Sequence, residues 1–221
     1  MNTKALIAEM IGTFALIYVG VGAIASDFLI HGANTDLTAI ALAHGLTIAV
    51  MVSATAAISG GHLNPAVTIG LLCAKKIDFP NAMGYVIAQC LGAILAAFLI
   101  KCSLPETVLA AVNMGTPALG NGITIYMGLC TEIILTFFLV FVVYGTAVDH
   151  RAPKVGGLFI GLTVALDILI GGPITGAAMN PARHLGPALL GGGLQNLWLY
   201  WVGPVLGGII AGVLYSKVLE K

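Results

Sequence analysis

Six stretches of this sequence, over residues 5–29, 37–58, 80–101, 123–146, 155–174 and 196–216, run for about twenty residues or more with almost no charge. A hydrocarbon core about 30 Å thick takes about 20 residues of α-helix to cross, and backbone amides there find no water to bond. The six stretches are therefore predicted to be transmembrane helices. Charged residues make up 8% of the chain, against about 25% in soluble domains. That is too little to clothe a water-facing surface, so an ordinary cytosolic enzyme and a disordered chain are both excluded. Nine basic and nine acidic residues cancel, which leaves no field to attract nucleic acid. The first stretch lacks the cleavage pattern of a signal peptide and reads as a retained helix. The expectation is an all-α membrane protein, a single transmembrane domain over 1–221 with no soluble part.

Two further apolar stretches, 61–74 and 177–190, are too short to span, and each carries Asn-Pro-Ala beside glycines. If six helices alternate, Lys4, Lys75, Lys76, Arg151, Lys154, Lys217 and Lys221 fall on one side and only Lys101 and Arg183 on the other. By the positive-inside bias both termini are predicted to be cytoplasmic, with Asp27, Asp36 and Glu106 facing outward, and the simplest address is the plasma membrane of a microbe.

The chain also repeats itself. Glu9, Thr13 and Phe14 lie over Glu132, Thr136 and Phe137 at an offset of 123; Asn64-Pro65-Ala66 lies over Asn180-Pro181-Ala182 at 116; Tyr85, Leu91 and Gly92 lie over Tyr200, Leu206 and Gly207 at 115. Two halves, approximately 1–115 and 120–221, each hold three spans. An odd number forces the second half to enter from the opposite side, so the halves form an inverted repeat. The short segments then enter from opposite faces as re-entrant half-helices that meet near the midplane, since irregular backbone is tolerated at that depth only around a wet cavity.

A proline just after an asparagine suits the first turn of a helix, which makes Asn64 and Asn180 N-terminal caps. Two N-termini aimed at one point bring about half a positive charge each, together with unpaired amide donors. Such a centre repels cations, hydronium included, while the asparagine amides donate to the oxygen of a neutral molecule. Water held that way passes while the proton relay is broken.

Ser59-Gly60-Gly61-His62-Leu63-Asn64-Pro65-Ala66-Val67-Thr68 and Met179-Asn180-Pro181-Ala182-Arg183 resemble the two signature loops of the aquaporin (major intrinsic protein) family, and the resemblance covers the whole chain. It implies a homotetramer with one pore per subunit, and a selectivity filter whose four positions fall here on His44, Ile168, Ala177 and Arg183. An intramembrane guanidinium is costly unless it lines water, which fits Arg183 to that role. This set departs from strict water channels, which carry an aromatic and a histidine where this chain has His44 and Ile168, and is similar to tonoplast-type and some archaeal filters. Ammonia or urea passage is the alternative it raises. Ala188 and Tyr200-Trp201 follow the water-type pattern, whereas His184, where serine is common, favours neither group. Ala177 stands where mercury-sensitive members have cysteine, so mercurials are not expected to block there.

By the same resemblance Glu9 and Glu132 support the two loops; read alone, intramembrane carboxylates also suit a proton relay, as in an ion-coupled secondary transporter. His62 either braces its loop or faces the pore. Asp167 has three open readings: pairing with Arg183, bonding an outer loop, or marking an early end of the fifth span. Gly12, Gly20, Gly70, Gly92, Gly207, Gly208 and Gly212 stand where small residues let helices approach. Cys73, Cys90, Cys102 and Cys130 show no metal spacing and read as lone thiols. No nucleophile constellation, cofactor motif or metal-ligand cluster is evident, so catalysis has no support. The partners implied are water, small neutral solutes and membrane lipids.

Overall fold

The computed structural model describes residues 2–153 and 155–220; of the basic residues that set the orientation, Lys154 and Lys221 lie outside the described residues. Among the described residues six helices are long and apolar enough to cross a membrane: α1 (Thr3–His31), α2 (Leu37–Ser59), α4 (Phe79–Ser103), α6 (Ile125–Val143), α7 (Gly156–Thr175) and α9 (Leu199–Leu214). Helix α6 runs on through one π turn (Tyr144–Val148) and α9 through another (Tyr215–Leu219). Two short helices, α3 (Pro65–Cys73) and α8 (Pro181–Gly191), take the places of the non-spanning stretches. A small helix α5 (Glu106–Ala111) and a 3-10 turn (Asn113–Gly115) lie in the connection between the halves.

Caps explain the helix limits. Asn2 accepts from the Lys4 amide at 3.0 Å and starts α1 ahead of the apolar run, and Gly32, in the left-handed region, ends it. Asp36 accepts from Thr38 and Ala39 and starts α2. The last span begins at Leu199, later than hydropathy places it, because turns occupy the residues just before.

Helix α1 packs on α4, α6 packs on α9, and α2 and α7 pack on each other. Each short helix crosses into the other half: α3 lies against α9 and α8 against α4. This is an inverted repeat in which each half-helix packs mainly on a span of the other half, with smaller contacts to its own. Gly70 of α3 and Gly208 of α9 touch backbone to backbone, where a Cβ on either would sit 2.6 Å from a carbonyl oxygen. Outward-facing side chains such as Val50, Ile87, Phe98, Leu166 and Ile170 are exposed and apolar, as a lipid-facing surface requires.

Two acidic residues depart from expectation. Asp27 lies at the end away from the termini but is buried, accepting from His31 Nδ1 at 2.8 Å and from the Asp36 amide at 3.2 and 3.3 Å, which closes the α1–α2 connection. Asp167 fulfils none of its three readings. It is buried inside α7, which continues to Thr175, and among the described residues its Oδ2 has no hydrogen-bond partner; Arg183 bonds elsewhere.

Candidate functional site: a membrane pore

The N-termini of α3 and α8 meet. Asn64 caps α3, its Oδ1 accepting from the Ala66 amide at 2.8 Å, and Asn180 caps α8, accepting from Ala182 at 3.0 Å and Arg183 at 3.2 Å. Pro65 and Pro181 follow in the first turn, where a missing N–H costs nothing. Each asparagine also reaches across: Asn64 Nδ2 donates to the Met179 carbonyl and Asn180 Nδ2 to the Leu63 carbonyl, both at 2.9 Å. The two loops thus lock each other at the centre of the molecule.

Behind each loop stands a buried glutamate. Glu9 accepts from Ser59 Oγ at 2.6 Å, from the amides of His62 at 2.9 Å and Leu63 at 2.6 Å, and from Gln89 Nε2 at 2.8 Å. Glu132 accepts from Thr175 Oγ1 at 2.7 Å and from the amides of Ala178 at 2.9 Å and Met179 at 2.8 Å. These bonds hold the loops in a conformation L-residues otherwise avoid, with Leu63, Ala177 and Met179 at φ of 52, 44 and 50°.

Arg183, buried in α8, donates from NH1 to the Gly115 carbonyl at 2.7 Å, and its NH2 stands 3.4 Å from His44 Nε2. His44 Nδ1 donates to the Ile40 carbonyl at 2.9 Å, which leaves Nε2 as the acceptor facing the guanidinium. The imidazole lies flush against α1, where a Cβ on Gly20 would collide with it; a larger residue there would push the ring toward Arg183.

A cavity of about 30 Å³ lies among these groups. His44, Ile168, Ala177 and Arg183 line it toward one end, Asn64 and Asn180 in its middle, and His62, Val52 and Val143 toward the other, with Ile48, Leu139, Ile160 and Val164 as an apolar wall. A second cavity, about 200 Å³, opens on the far side of His44, Ile168 and Arg183 and is walled by Ile24, Leu37 and Thr116. A third, about 610 Å³, shares Val52 and opens among Ser53, Ala56, Gly60, Thr146, Asp149, Pro153 and Gly156 on the face of the termini. The first cavity shares His44, Ile168 and Arg183 with the second and Val52 with the third. At the inner mouth Arg151 Nε bonds Asp149 Oδ1 at 2.9 Å while Arg151 NH2 donates to the Leu219 carbonyl at 2.9 Å. Those bonds from Arg151 hold the Asp149 carboxyl well below the usual carboxylate range and raise the guanidinium in turn.

A cavity lined by the capping asparagines of two half-helices is the architecture expected from the sequence, and comparison with known proteins decides the family. Residues 1–215 match the model of the major intrinsic protein family. The chain belongs to that family. Among curated relatives of this major intrinsic protein, aquaporin TIP4-4 of Zea mays is 46% identical over 96% of this chain and 85% of its own length. Aquaporin-4 of Mus musculus is 40% identical over 97% of this chain and 67% of its own. Among solved structures, the aquaglyceroporin from Plasmodium falciparum superposes with a TM-score of 0.84 at 27% identity, over 98% of this chain and 96% of that one.

All four residues expected at the family's filter, His44, Ile168, Ala177 and Arg183, share one cavity with Asn64, Asn180 and His62. Glu9 and Glu132 sit behind the loops instead. His62 does both things that were open to it: Nδ1 lies 3.1 Å from Thr68 Oγ1 while the residue lines the cavity. Sequence reasoning missed Gln89 and Gly115. A lone amide inside an apolar helix is a signal that would have found the first; the second acts through its carbonyl, which no side-chain pattern announces.

Proposed function

We propose that this protein is a passive channel that conducts water in single file and excludes protons and ions. The observation that carries the reading is the meeting of two half-helix N-termini with crossed asparagine bonds at a cavity that His44, Ile168, Ala177 and Arg183 also line. An amide has two N–H groups, and one on each asparagine goes to the opposite loop, so one on each is left for a passing molecule. Water that accepts from both cannot accept along the file, and the two helix dipoles disfavour any cation there. We assign Asn64 and Asn180 to the pore centre, His44, Ile168, Ala177 and Arg183 to the selectivity filter, and Glu9, Glu132 and His62 to loop support. The halves divide at about 1–115 and 120–221. Aquaporin names among the relatives favour water over ammonia, urea or larger neutral solutes as the main substrate.

The exposed apolar faces support a lipid environment, and the basic bias supports cytoplasmic termini; a homotetramer in the plasma membrane completes the proposal. Purified protein in liposomes should give osmotic water flux well above empty vesicles, with low activation energy and no dependence on a proton or sodium gradient. Flux equal to empty vesicles would sink the proposal. Coupling to a gradient would turn it into a secondary transporter, and ammonia and urea run in the same assay measure the width of the filter.

A further inference from the structure

We propose that the cavity between the ends of α4 and α8 binds the headgroup of a membrane lipid that carries a phosphate and a primary ammonium, and that its occupancy steadies the arginine of the filter. The link to the filter rests on the channel reading above; the binding site stands apart from it.

This cavity, about 260 Å³, lies on the face away from the termini and is lined by Lys101, Glu106, Asn113, Met114, Leu190 and Gly191. At about 30 Å³ per water it has space for about eight, more than a bare ion uses. Lys101 lies in the last turn of α4 and Glu106 begins α5, so one positive and one negative side chain border the same space. Neither is spent on the other. The ion pairs among the described residues include neither side chain, and the bond from Lys101 Nζ to the Leu190 carbonyl is a long one, 3.4 Å. On the membrane side Phe98 stands one turn before Lys101 and Leu189 just before Leu190, both exposed and apolar. A ligand here meets charge at its head and hydrocarbon beside it, as a lipid does at the bilayer surface.

The charges select among headgroups. Lys101 offers N–H donors to a phosphate, while Glu106 and the Leu190 carbonyl, one of the last carbonyls of α8, offer acceptors to an ammonium. A quaternary ammonium has no N–H to give them. A lipid of net negative charge would bring no cation to offset the Glu106 carboxylate and the negative end of the α8 dipole.

The floor of the cavity leads to the filter. Asn113, Met114 and Gly115 run consecutively through the left-handed region, at φ of 47, 52 and 63°, a conformation that surrounding contacts must hold. The Gly115 carbonyl is the one that seats Arg183 NH1 at 2.7 Å. Arg183 itself belongs to α8, whose far end forms the other wall. A headgroup held between Asn113 and Leu190 therefore braces the two segments that this bond joins.

The experiment is native mass spectrometry of the whole protein in detergent, titrated with lipids of identical chains. Phosphatidylethanolamine should be retained roughly tenfold more tightly than phosphatidylcholine or phosphatidylglycerol, the factor expected of one charge-assisted bond. Glu106→Gln should erase the preference over phosphatidylcholine, and Lys101→Ala should weaken all three; both side chains are exposed, so neither change threatens the fold. Glycerophosphoethanolamine, the same head without chains, should not compete at matching concentration. Equal retention of the three lipids, a preference for phosphatidylglycerol, a preference that survives Glu106→Gln, or competition by the chainless head overturns the site. In proteoliposomes, after subtraction of empty vesicles of the same lipid, the ratio of glycerol to water permeability should be about twofold lower in phosphatidylethanolamine than in phosphatidylcholine, the low end of remote coupling, and equal in both for Glu106→Gln. An equal ratio for the parent overturns the link to Arg183. A parent protein that conducts no water in either lipid would instead overturn the channel reading, with the site still decided by the binding measurements.

Discussion

In the first loop Glu9 gathers four donors and the half-helix behind it is clamped by Gln89 and Thr68, so the loop is held by charge-assisted bonds on every side. In the second loop Glu132 gathers three, with Pro204 at the position that supplies the fourth in the first half. The repeat has kept the geometry of the backbone while changing what enforces it. Hydrogen bonds to a buried charge contribute about 1.5–3 kcal/mol each, and the stack of His184 on Tyr200 in the second half adds about 0.5–1.5 kcal/mol beyond its area. The second loop, beside the narrow outer end, is accordingly the softer of the two.

The largest way to break this comparison is to remove the glutamates. Glu9→Ala and Glu132→Ala each leave two loop amides buried and unpaired, at about 1–3 kcal/mol apiece. Both variants should lose the folded channel in detergent, Glu9→Ala at the lower temperature; a Glu132→Ala protein as stable as the parent would dissolve the parallel between the loops. Next in size is Arg183→Ala, which deletes the guanidinium seated on Gly115. Vesicles carrying it should admit glycerol about tenfold faster relative to water and leak protons, seen with an entrapped pH dye.

Gln89→Ala sharpens the contrast from the other side. It removes one of four donors and should lower the thermal midpoint by the equivalent of about 1.5–3 kcal/mol while leaving the glycerol-to-water ratio alone, since the first loop lies away from the constriction. The smallest effect belongs to the inner mouth. Asp149 titrates below its ordinary value of 3.8 because Arg151 bonds its ionised form. Its stabilisation is present in full above 3.8 and is lost as pH falls through the lowered value. Melting should stay flat from about pH 8 to pH 5 and decline only in stronger acid, and Asp149→Asn should soften that decline.

Much of the architecture was legible because bilayer thickness converts directly into the length of an apolar run. The caps Asn64 and Asn180 were legible because Asn-Pro dictates a helix start. Other features turn on contacts between residues far apart in the chain. That Arg183 would bond Gly115, or that His184 would lie on Tyr200, follows from how α8 docks on the connection after α5 and on α9, which no local pattern encodes. Asp167 shows the same limit: a charge in an apolar helix marks a position without naming its partner, and each expected partner is engaged elsewhere or absent.

The crossed asparagine bonds bear on how the chain is made. Leu63 presents a carbonyl whose donor arrives from Asn180, and Asn64 an amide whose acceptor arrives from Met179. A nascent chain that has delivered only its first three spans therefore holds a polar hairpin with no partner at membrane depth, where an unmet backbone group costs several kcal/mol. That hairpin cannot settle until the second half-helix has been synthesised and inserted from the opposite face. Maturation is then a single late event rather than two successive ones, and a ribosome stalled between the halves leaves an insertion intermediate rather than half of a working channel.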